Sequence, residues 1–212
     1  MYAYICFMDL PSKHLAEAVE QLASLPSVGK RSALRLALEL LKRSPEEIER
    51  FAQAFVAMKE KVKLCNSCGN ISDLDLCNIC SNPGRDHSII CVVEDARDVM
   101  AIESTRSYKG IYHVLGGVIS PMDGLGPEDL NILSLINKVE QTSPSEIIFA
   151  LGATMEGDTT NFYLYKKLQY LGPSITTLSR GVAVGTELHY ADELTLGRSI
   201  QQRLPFETTF NR

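Results

Sequence analysis

The spacing of apolar residues changes its period once along this chain. Up to residue 62 the apolar positions recur at helical spacing, which predicts helices over 12–24, from about Lys30, and from Ser44 onward. Further along, four short apolar runs alternate with helical patterns: 89–93, 111–115, 147–151 and 175–178. This alternation predicts a largely parallel sheet covered by helices, so the predicted fold class is α/β.

The helical patterns carry specific expectations about packing and capping. Four residues are predicted to form the apolar face of the second helix: Leu34, Ala37, Leu38 and Leu41. Leu36 and Leu40 point elsewhere, so this helix is expected to pack on two sides. Ser44 is predicted to cap the third helix in a capping box with Glu47. The apolar residues of that helix are interpreted as core: Ile48, Phe51, Phe55, Met58 and Val62. In the α/β part, one helix is expected to begin at Pro127.

Composition and charge limit the classes of partner. With 212 residues, of which 45% are apolar, the chain is long enough for a buried core in one or two domains. A net charge of −5 excludes a uniformly basic nucleic-acid coat. The charge is uneven, because 10 Lys and Arg stand against 8 Asp and Glu up to Lys63, and 11 against 18 after it. An anionic partner is therefore expected near the N-terminal end.

The N-terminal residues do not have the pattern of a signal peptide. They are apolar but lack a basic first segment, and Pro11 and Lys13 interrupt them; Met8 is an alternative start. No apolar stretch reaches the length of a membrane span, so no membrane partner is expected. Cys91 is interpreted as a core residue. These features predict a protein of the reducing cytoplasm.

Two C-x-x-C pairs lie eight residues apart, Cys65 with Cys68 and Cys77 with Cys80. Four thiolates are the tetrahedral ligand set of a structural zinc ion and leave no open position for a substrate. Gly69 follows the first pair, where a left-handed turn suits glycine. The alternative is a redox pair or disulfides, but the lack of secretory features favours metal. The prediction is one structural Zn²⁺ per chain, bound by these four cysteines.

The segment L-P-S-V-G-K-R between the first two predicted helices resembles the helix-hairpin-helix motif, which binds nucleic-acid backbone. Amides at the start of the second helix, its dipole, and the side chains of Lys30 and Arg31 favour a phosphate. The helical period places Arg35 and Lys42 near Arg31. The residues predicted to bind DNA, without reading its sequence, are Lys30, Arg31 and Arg35. Ser27 replaces the first glycine of the usual G-x-G hairpin. The alternative is an ordinary helical hairpin with a solvated basic face.

Functional residues gather at the carboxyl ends of parallel strands. Here a strand-terminal Glu94 and a later E-G-D segment resemble the Toprim domain of topoisomerases and primases. Catalytic members of that family have a magnesium-binding D-x-D pair just before E-G-E. Gly152 and Thr154 stand at those two positions, so this resemblance implies binding rather than metal-assisted phosphoryl chemistry.

Three acidic residues remain at this predicted edge and are interpreted as partner-binding residues: Glu94, Glu156 and Asp158. An acidic contact surface would select a basic partner. The alternative for Glu94 and Asp158 is that each is a helix N-terminal acid favoured by the macrodipole, as Asp95 and Asp98 are interpreted to be.

The order of these parts resembles the bacterial RecR family from about Leu15 to Arg203. Two C-terminal motifs add to this resemblance, R-G-V-A-V-G starting at Arg180 and Y-A-D-E-L-T-L starting at Tyr190. Ala183 stands where that family usually has proline. The resemblance implies an N-terminal helix-hairpin-helix, a central four-cysteine zinc element, a Toprim-like α/β domain and a C-terminal helical tail. The predicted boundaries are an extension at 1–11, the helical domain at 12–63, the zinc finger at 64–82, the Toprim-like domain at 88–184 and the C-terminal region at 185–212.

The same resemblance implies a recombination mediator in DNA repair and not an enzyme. RecR-like proteins assemble as dimers and ring-shaped tetramers that encircle DNA, and act with RecO and RecF to load recombinase on single-stranded gaps. DNA, RecO-like and RecF-like proteins and further copies of the chain are therefore the expected partners, in a nucleoid-associated location. The alternatives are a metal-dependent nuclease or primase-like enzyme, and a zinc-stapled scaffold that binds only proteins.

Overall fold

The computed structural model describes residues 10–183, 185 and 187–205. Most of the predicted N-terminal extension, Val184 of the C-terminal motif and residues 206–212 lie outside this range. The chain divides into two compact units, Met1–Lys61 and Val62–Arg212, and each is described separately.

Residues 10–61 of the first unit form three helices, as the apolar spacing predicts. They are α1 (Lys13–Ala23), α2 (Lys30–Leu40) and α3 (Pro45–Lys61). The capping box at the start of α3 is confirmed: Ser44 Oγ accepts a hydrogen bond from the Glu47 amide at 3.3 Å, and Glu47 Oε2 accepts one from the Ser44 amide at 2.9 Å. These two bonds satisfy amides that the helix ladder leaves without partners.

The core of this unit lies between α1 and α2, where Val19, Ala33 and Ala37 are buried. The predicted apolar face of α2 is therefore wrong in part, because Leu38 and Leu41 are 42% and 73% exposed. The reason is that the short hairpin holds α1 and α2 close together, and the small Ala33 and Ala37 suit such a contact better than leucine.

The interpretation of the α3 apolar residues as core is also wrong. Phe51, Phe55 and Met58 are 38%, 54% and 56% exposed, and Ile48 and Val62 are only half-buried. Since α1 and α2 cover one another, and a unit of this size has little interior, the apolar face of α3 remains outside the core of this unit. The rings of Phe51 and Phe55 pack edge to face with centroids 4.9 Å apart.

The second unit begins with a short antiparallel ribbon, β1 (Lys63–Leu64) and β2 (Ile71–Ser72). A four-stranded sheet follows, formed by β3 (Asp86–Val93), β4 (Gly110–Val114), β5 (Glu146–Phe149) and β6 (Ser174–Thr177). The strand order is β4-β3-β5-β6 and every pairing is parallel, which confirms the predicted α/β class.

The described part of the second unit also contains the helices α4 (Ala96–Ser104), α5 (Ile132–Thr142), α6 (Met155–Leu168) and α7 (Glu193–Gln201). Alternate residues of β3 enter two separate cores, Ile90 and Val92 on one face and Cys91 and Val93 on the other. Both faces of the central strand are therefore buried, as its continuous apolar run predicts. Cys91 is 2% exposed, which confirms its interpretation as a core residue.

The helix expected to begin at Pro127 begins later. A 3-10 turn covers Pro127–Asp129, Leu130 is extended, and α5 starts only at Ile132. The intervening Asn131 is tied to the end of β4, since its amide donates to Leu115 O at 2.9 Å and its Nδ2 donates to Val114 O at 3.0 Å. These tertiary bonds interrupt the helical pattern that the sequence shows.

Candidate zinc centre and nucleic-acid interface

The four paired cysteines come together in the second unit. The sulfur atoms of Cys65, Cys68, Cys77 and Cys80 all lie within 4.8 Å of one another, and those of Cys68 and Cys77 are 3.6 Å apart. A zinc ion bound at about 2.3 Å by four thiolates places its sulfurs about 3.8 Å apart, so the cluster fits one structural zinc. Cys80 is half-buried, whereas the other three are buried.

The backbone around these cysteines is shaped for the cluster. The Gly69 amide donates to Cys65 O at 2.8 Å, and the Cys77 amide donates to Cys65 Sγ at 3.3 Å. Gly69 has φ +74°, which confirms the expected left-handed turn. A Cβ at Gly69 would also lie 2.9 Å from Val114 O, so the first cysteine turn packs closely against the end of β4. The Val114 amide completes this contact by donating to Cys68 O at 2.7 Å.

The thiols perturb one another strongly because they are crowded and buried. The interaction between Cys68 and Cys80 lowers the pKa of Cys80 and raises that of Cys68. Burial raises the pKa of Cys77. Holding all four sulfurs as thiolates therefore requires a compensating positive charge, which a bound divalent cation supplies.

In the first unit, the predicted DNA-binding residues occupy the first two turns of α2. The side chains of Lys30, Arg31 and Arg35 are all exposed. Gly29 is the N-cap and makes no side-chain cap bond, and the first ladder bond runs from the Ala33 amide to Gly29 O at 2.9 Å. The positive end of the helix dipole therefore lies beside three cationic side chains.

The hairpin turn has a left-handed residue at position 27, although Ser27 replaces the first glycine of the usual motif. Ser27 adopts φ +66°, the left-handed conformation that glycine takes at lower cost. In the described part of the chain, a Cβ added at Gly29 would meet no atom within 4 Å beyond its immediate chain neighbours, so open space faces that residue. Lys42, which the helical period places near Arg35, pairs with Glu39 at 2.9 Å, so part of its charge is neutralised.

The predicted acidic edge lies at the carboxyl ends of the adjacent strands β3 and β5, and its members differ in environment. Glu94 is half-buried after β3, and burial followed by repulsion from Asp98 raises its pKa. Glu156 is exposed in the first turn of α6. The Asp95–Asp98 capping box at the start of α4 confirms the interpretation of both as helix N-terminal acids.

Asp158 is already paired within the chain. Its Oδ1 accepts a hydrogen bond from Arg180 Nη2 at 2.5 Å, and its Oδ2 lies 3.7 Å from an Arg198 nitrogen. The Arg180 bond lowers the pKa of Asp158. The sequence shows Arg180 only as part of a motif and does not reveal this pairing, because the partner acid is 22 residues earlier. The role of Asp158 in binding a partner stays a prediction.

Of the two positions without carboxylates, Thr154 has a structural role. Thr154 is the N-cap of α6, and its Oγ1 accepts a hydrogen bond from the Gly157 amide at 3.0 Å. A Cβ at Gly157 would lie 2.1 Å from Gly152 O, which explains the glycine of the E-G-D segment. The turn between β5 and α6 is thus closely packed and caps α6, while Gly152 and Thr154 add no negative charge to it.

Within residues 10–183, 185 and 187–205, no helix combines the length and apolarity that a membrane crossing requires.

Comparisons with known proteins match every part of this architecture. Family models for the RecR helix-hairpin-helix, the RecR four-cysteine zinc finger domain, a Toprim domain and the RecR C-terminal region match residues 15–59, 62–82, 88–179 and 181–203. The chain is 56% identical to the Recombination protein RecR of Flavobacterium psychrophilum, over 96% of this chain and 98% of the relative. It is 52% identical to the protein of that name from Bacteroides fragilis, over 94% of this chain and 97% of the relative.

Proposed function

We propose a function from the premise that this chain belongs to the RecR family. It acts in DNA repair as a non-enzymatic, DNA-binding recombination mediator that helps load recombinase on single-stranded gaps. Its partners are DNA, RecO-like and RecF-like proteins and further copies of itself. The name of its relatives supports the recombination role, and the finer parts of the proposal rest on the residues discussed below.

The start of α2 is the observation that carries the proposal. Exposed Lys30, Arg31 and Arg35 surround a helix N-terminus whose cap, Gly29, faces open space. A phosphate placed there would meet backbone amides, the helix dipole and two or three cationic side chains. Contacts of this kind hold the sugar-phosphate backbone and read no bases, so binding is expected to be insensitive to sequence.

Three cations per chain give weak, salt-dependent binding, so the proposal includes a clamp-like oligomer. A dimer or a tetrameric ring repeats the hairpin and raises the effective concentration of each copy along one DNA. The exposed apolar side chains of Phe51, Phe55 and Met58 on α3 support association, because contiguous apolar surface is usually covered in an assembly.

The Toprim-like edge supports binding rather than catalysis. Gly152 and Thr154 provide no carboxylates where catalytic relatives need two, and Asp158 is engaged with Arg180. We assign Glu94 and Glu156 to a contact surface for a basic partner such as a RecO-like protein, since surface charge sets partner choice and association rate. Mg²⁺-dependent cleavage of DNA that the double variant Glu94→Ala with Asp158→Ala lacks would contradict the non-enzymatic assignment.

The DNA-binding proposal is tested with a triple variant, Lys30→Ala with Arg31→Ala and Arg35→Ala. The matched control removes the same charge from exposed lysines of the second unit, Lys109, Lys166 and Lys167. Fluorescence anisotropy with labelled single strands of two unrelated sequences measures affinity, and light scattering confirms that oligomers are intact. We expect at least about a 10-fold loss for the hairpin variant on both sequences and a much smaller loss for the control. Equal losses would contradict the proposal.

A further inference from the structure

A lysine on α5 hydrogen-bonds to the turn between the first two cysteines. Lys138 lies on α5, 71 residues along the chain from Ser67, the residue between Asn66 and Cys68. Its Nζ donates to Ser67 O at 3.0 Å and lies 3.3 Å from Ser67 Oγ. The Lys138 side chain is half-buried, so its charge is incompletely screened by solvent.

Ser67 places this charge beside the zinc ligands. It directly precedes the ligand Cys68, so the ammonium group lies next to the turn that carries the first cysteine pair. Cys80 is half-buried, whereas the other three ligands are buried.

We propose that Lys138 and Ser67 are positioning residues that retain zinc by placing a positive charge beside the four-thiolate cluster. Zinc with four thiolates carries net negative charge, and a nearby ammonium group balances part of it without occupying a coordination position. Groups that orient and hydrogen-bond metal ligands commonly alter metal affinity by about 10-fold to 100-fold when removed. The zinc centre is thereby coupled to α5, although α5 supplies no ligand.

The competing explanation is that Lys138 only fastens α5 to the cysteine turn. That turn has a second attachment to the fold, the Val114 amide bonded to Cys68 O, which does not involve charge. A purely structural Lys138 would change the unfolding of the domain and leave zinc retention unaltered. Charge and hydrogen bonding are separated by comparing replacements that keep one property and lose the other.

The test measures the rate of zinc transfer from the full-length, zinc-loaded protein to an excess of a chelating dye. Lys138→Met removes charge and donor, Lys138→Gln keeps a donor, and Lys138→Arg keeps the charge; Lys166→Met on α6 is the matched control. We expect about 10-fold faster transfer for Lys138→Met, a clear acceleration for Lys138→Gln, and rates near wild type for Lys138→Arg and Lys166→Met. Wild-type transfer in Lys138→Met, or an equal effect in the control, would overturn the proposal.

Two further measurements distinguish the proposed pair from independent effects. Ser67→Ala should accelerate zinc transfer alone but add much less in the Lys138→Met background, because both changes disturb the same Lys138–Ser67 contact. Raising the salt concentration should accelerate transfer from the wild-type protein more than from Lys138→Met. Fully additive effects together with identical salt responses would contradict the assignment.

Discussion

Asp158 Oδ1 lies 2.5 Å from Arg180 Nη2, and this ion pair fastens the segment before α7 to the first turn of α6. Arg198 on α7 lies on the other oxygen of the same carboxylate, at 3.7 Å. One acidic residue of the E-G-D segment thus holds both the segment after β6 and the helix α7.

Replacing Asp158 with Asn is expected to loosen that region while the sheet stays folded. The ion pair is partly exposed, so its removal should lower the free energy of unfolding by no more than about 1 kcal/mol. Limited proteolysis should show faster cleavage between Arg180 and Arg198. Glu156→Gln, which changes an exposed acid two residues away, serves as the control and should leave that cleavage rate unchanged.

The same ion pair predicts a pH dependence. Because Arg180 lowers the pKa of Asp158 from the ordinary value of 3.8, the stabilisation is present above that value and is lost as pH falls through the lowered pKa. The stability difference between wild type and Asp158→Asn should therefore be full near neutral pH and shrink only below about pH 4. Urea unfolding at several pH values measures it, and a difference that grew on acidification would contradict the pairing.

Removing one zinc ligand is expected to destabilise the second unit. Cys77→Ser should lose zinc and lower the thermal unfolding midpoint, because ordering the loop around four thiolates couples metal binding to folding. Cys91→Ala is the control, since Cys91 is a buried core residue outside the cluster and its change should preserve zinc content. Elemental analysis and thermal unfolding measure both effects. An unchanged midpoint in Cys77→Ser would contradict a structural role for zinc.

The cysteine cluster and the capping boxes were predictable because each depends on residues close together in sequence. The C-x-x-C spacing, the Ser44–Glu47 pair and the alternation of strands and helices each correspond to a local pattern. They reappear in the structure at the expected positions.

The interactions that could not be predicted join residues far apart in the chain. Asn131 bonds to the end of β4 and delays α5, and Lys138 reaches Ser67 across 71 residues. The prediction that the apolar face of α3 is core was wrong because helical spacing shows that a face is apolar but does not show what covers it. Tertiary pairing of this kind leaves no local trace in the sequence.

Ser27 provides a test of the hairpin geometry. Because its φ of +66° is costly for a residue with a side chain, Ser27→Gly should relieve about 1 kcal/mol, partly offset by the greater freedom of glycine in the unfolded chain. The unfolding free energy should therefore rise slightly or stay constant. Ser32→Gly, inside α2, should instead lower it by roughly 0.5 kcal/mol. Destabilisation by Ser27→Gly as large as that by Ser32→Gly would contradict the left-handed turn.

Replacing Gly29 is expected to weaken DNA binding while changing the stability of the fold only slightly. Among the residues that the structure describes, a Cβ there meets no atom within 4 Å beyond its chain neighbours, so Gly29→Ala should cost only a few tenths to about 1 kcal/mol through the weaker N-cap. It should nevertheless weaken DNA binding, because the methyl group occupies space that the proposed phosphate needs. Gly197→Ala, on α7 of the second unit, is the control for DNA affinity, because an added Cβ there likewise meets nothing within 4 Å and the backbone is not left-handed. Unchanged affinity in Gly29→Ala would argue against close approach of the DNA backbone.

The salt dependence of DNA binding tests the central claim most directly. The logarithm of affinity is plotted against the logarithm of salt concentration for wild type and for each of Lys30→Ala, Arg31→Ala and Arg35→Ala. If these side chains hold phosphates, each variant should make the slope shallower by about one unit for each phosphate that it no longer neutralises, equally for unrelated base sequences. Variants that bind with the wild-type affinity and slope would show that DNA is held elsewhere, and the account of the hairpin would be wrong.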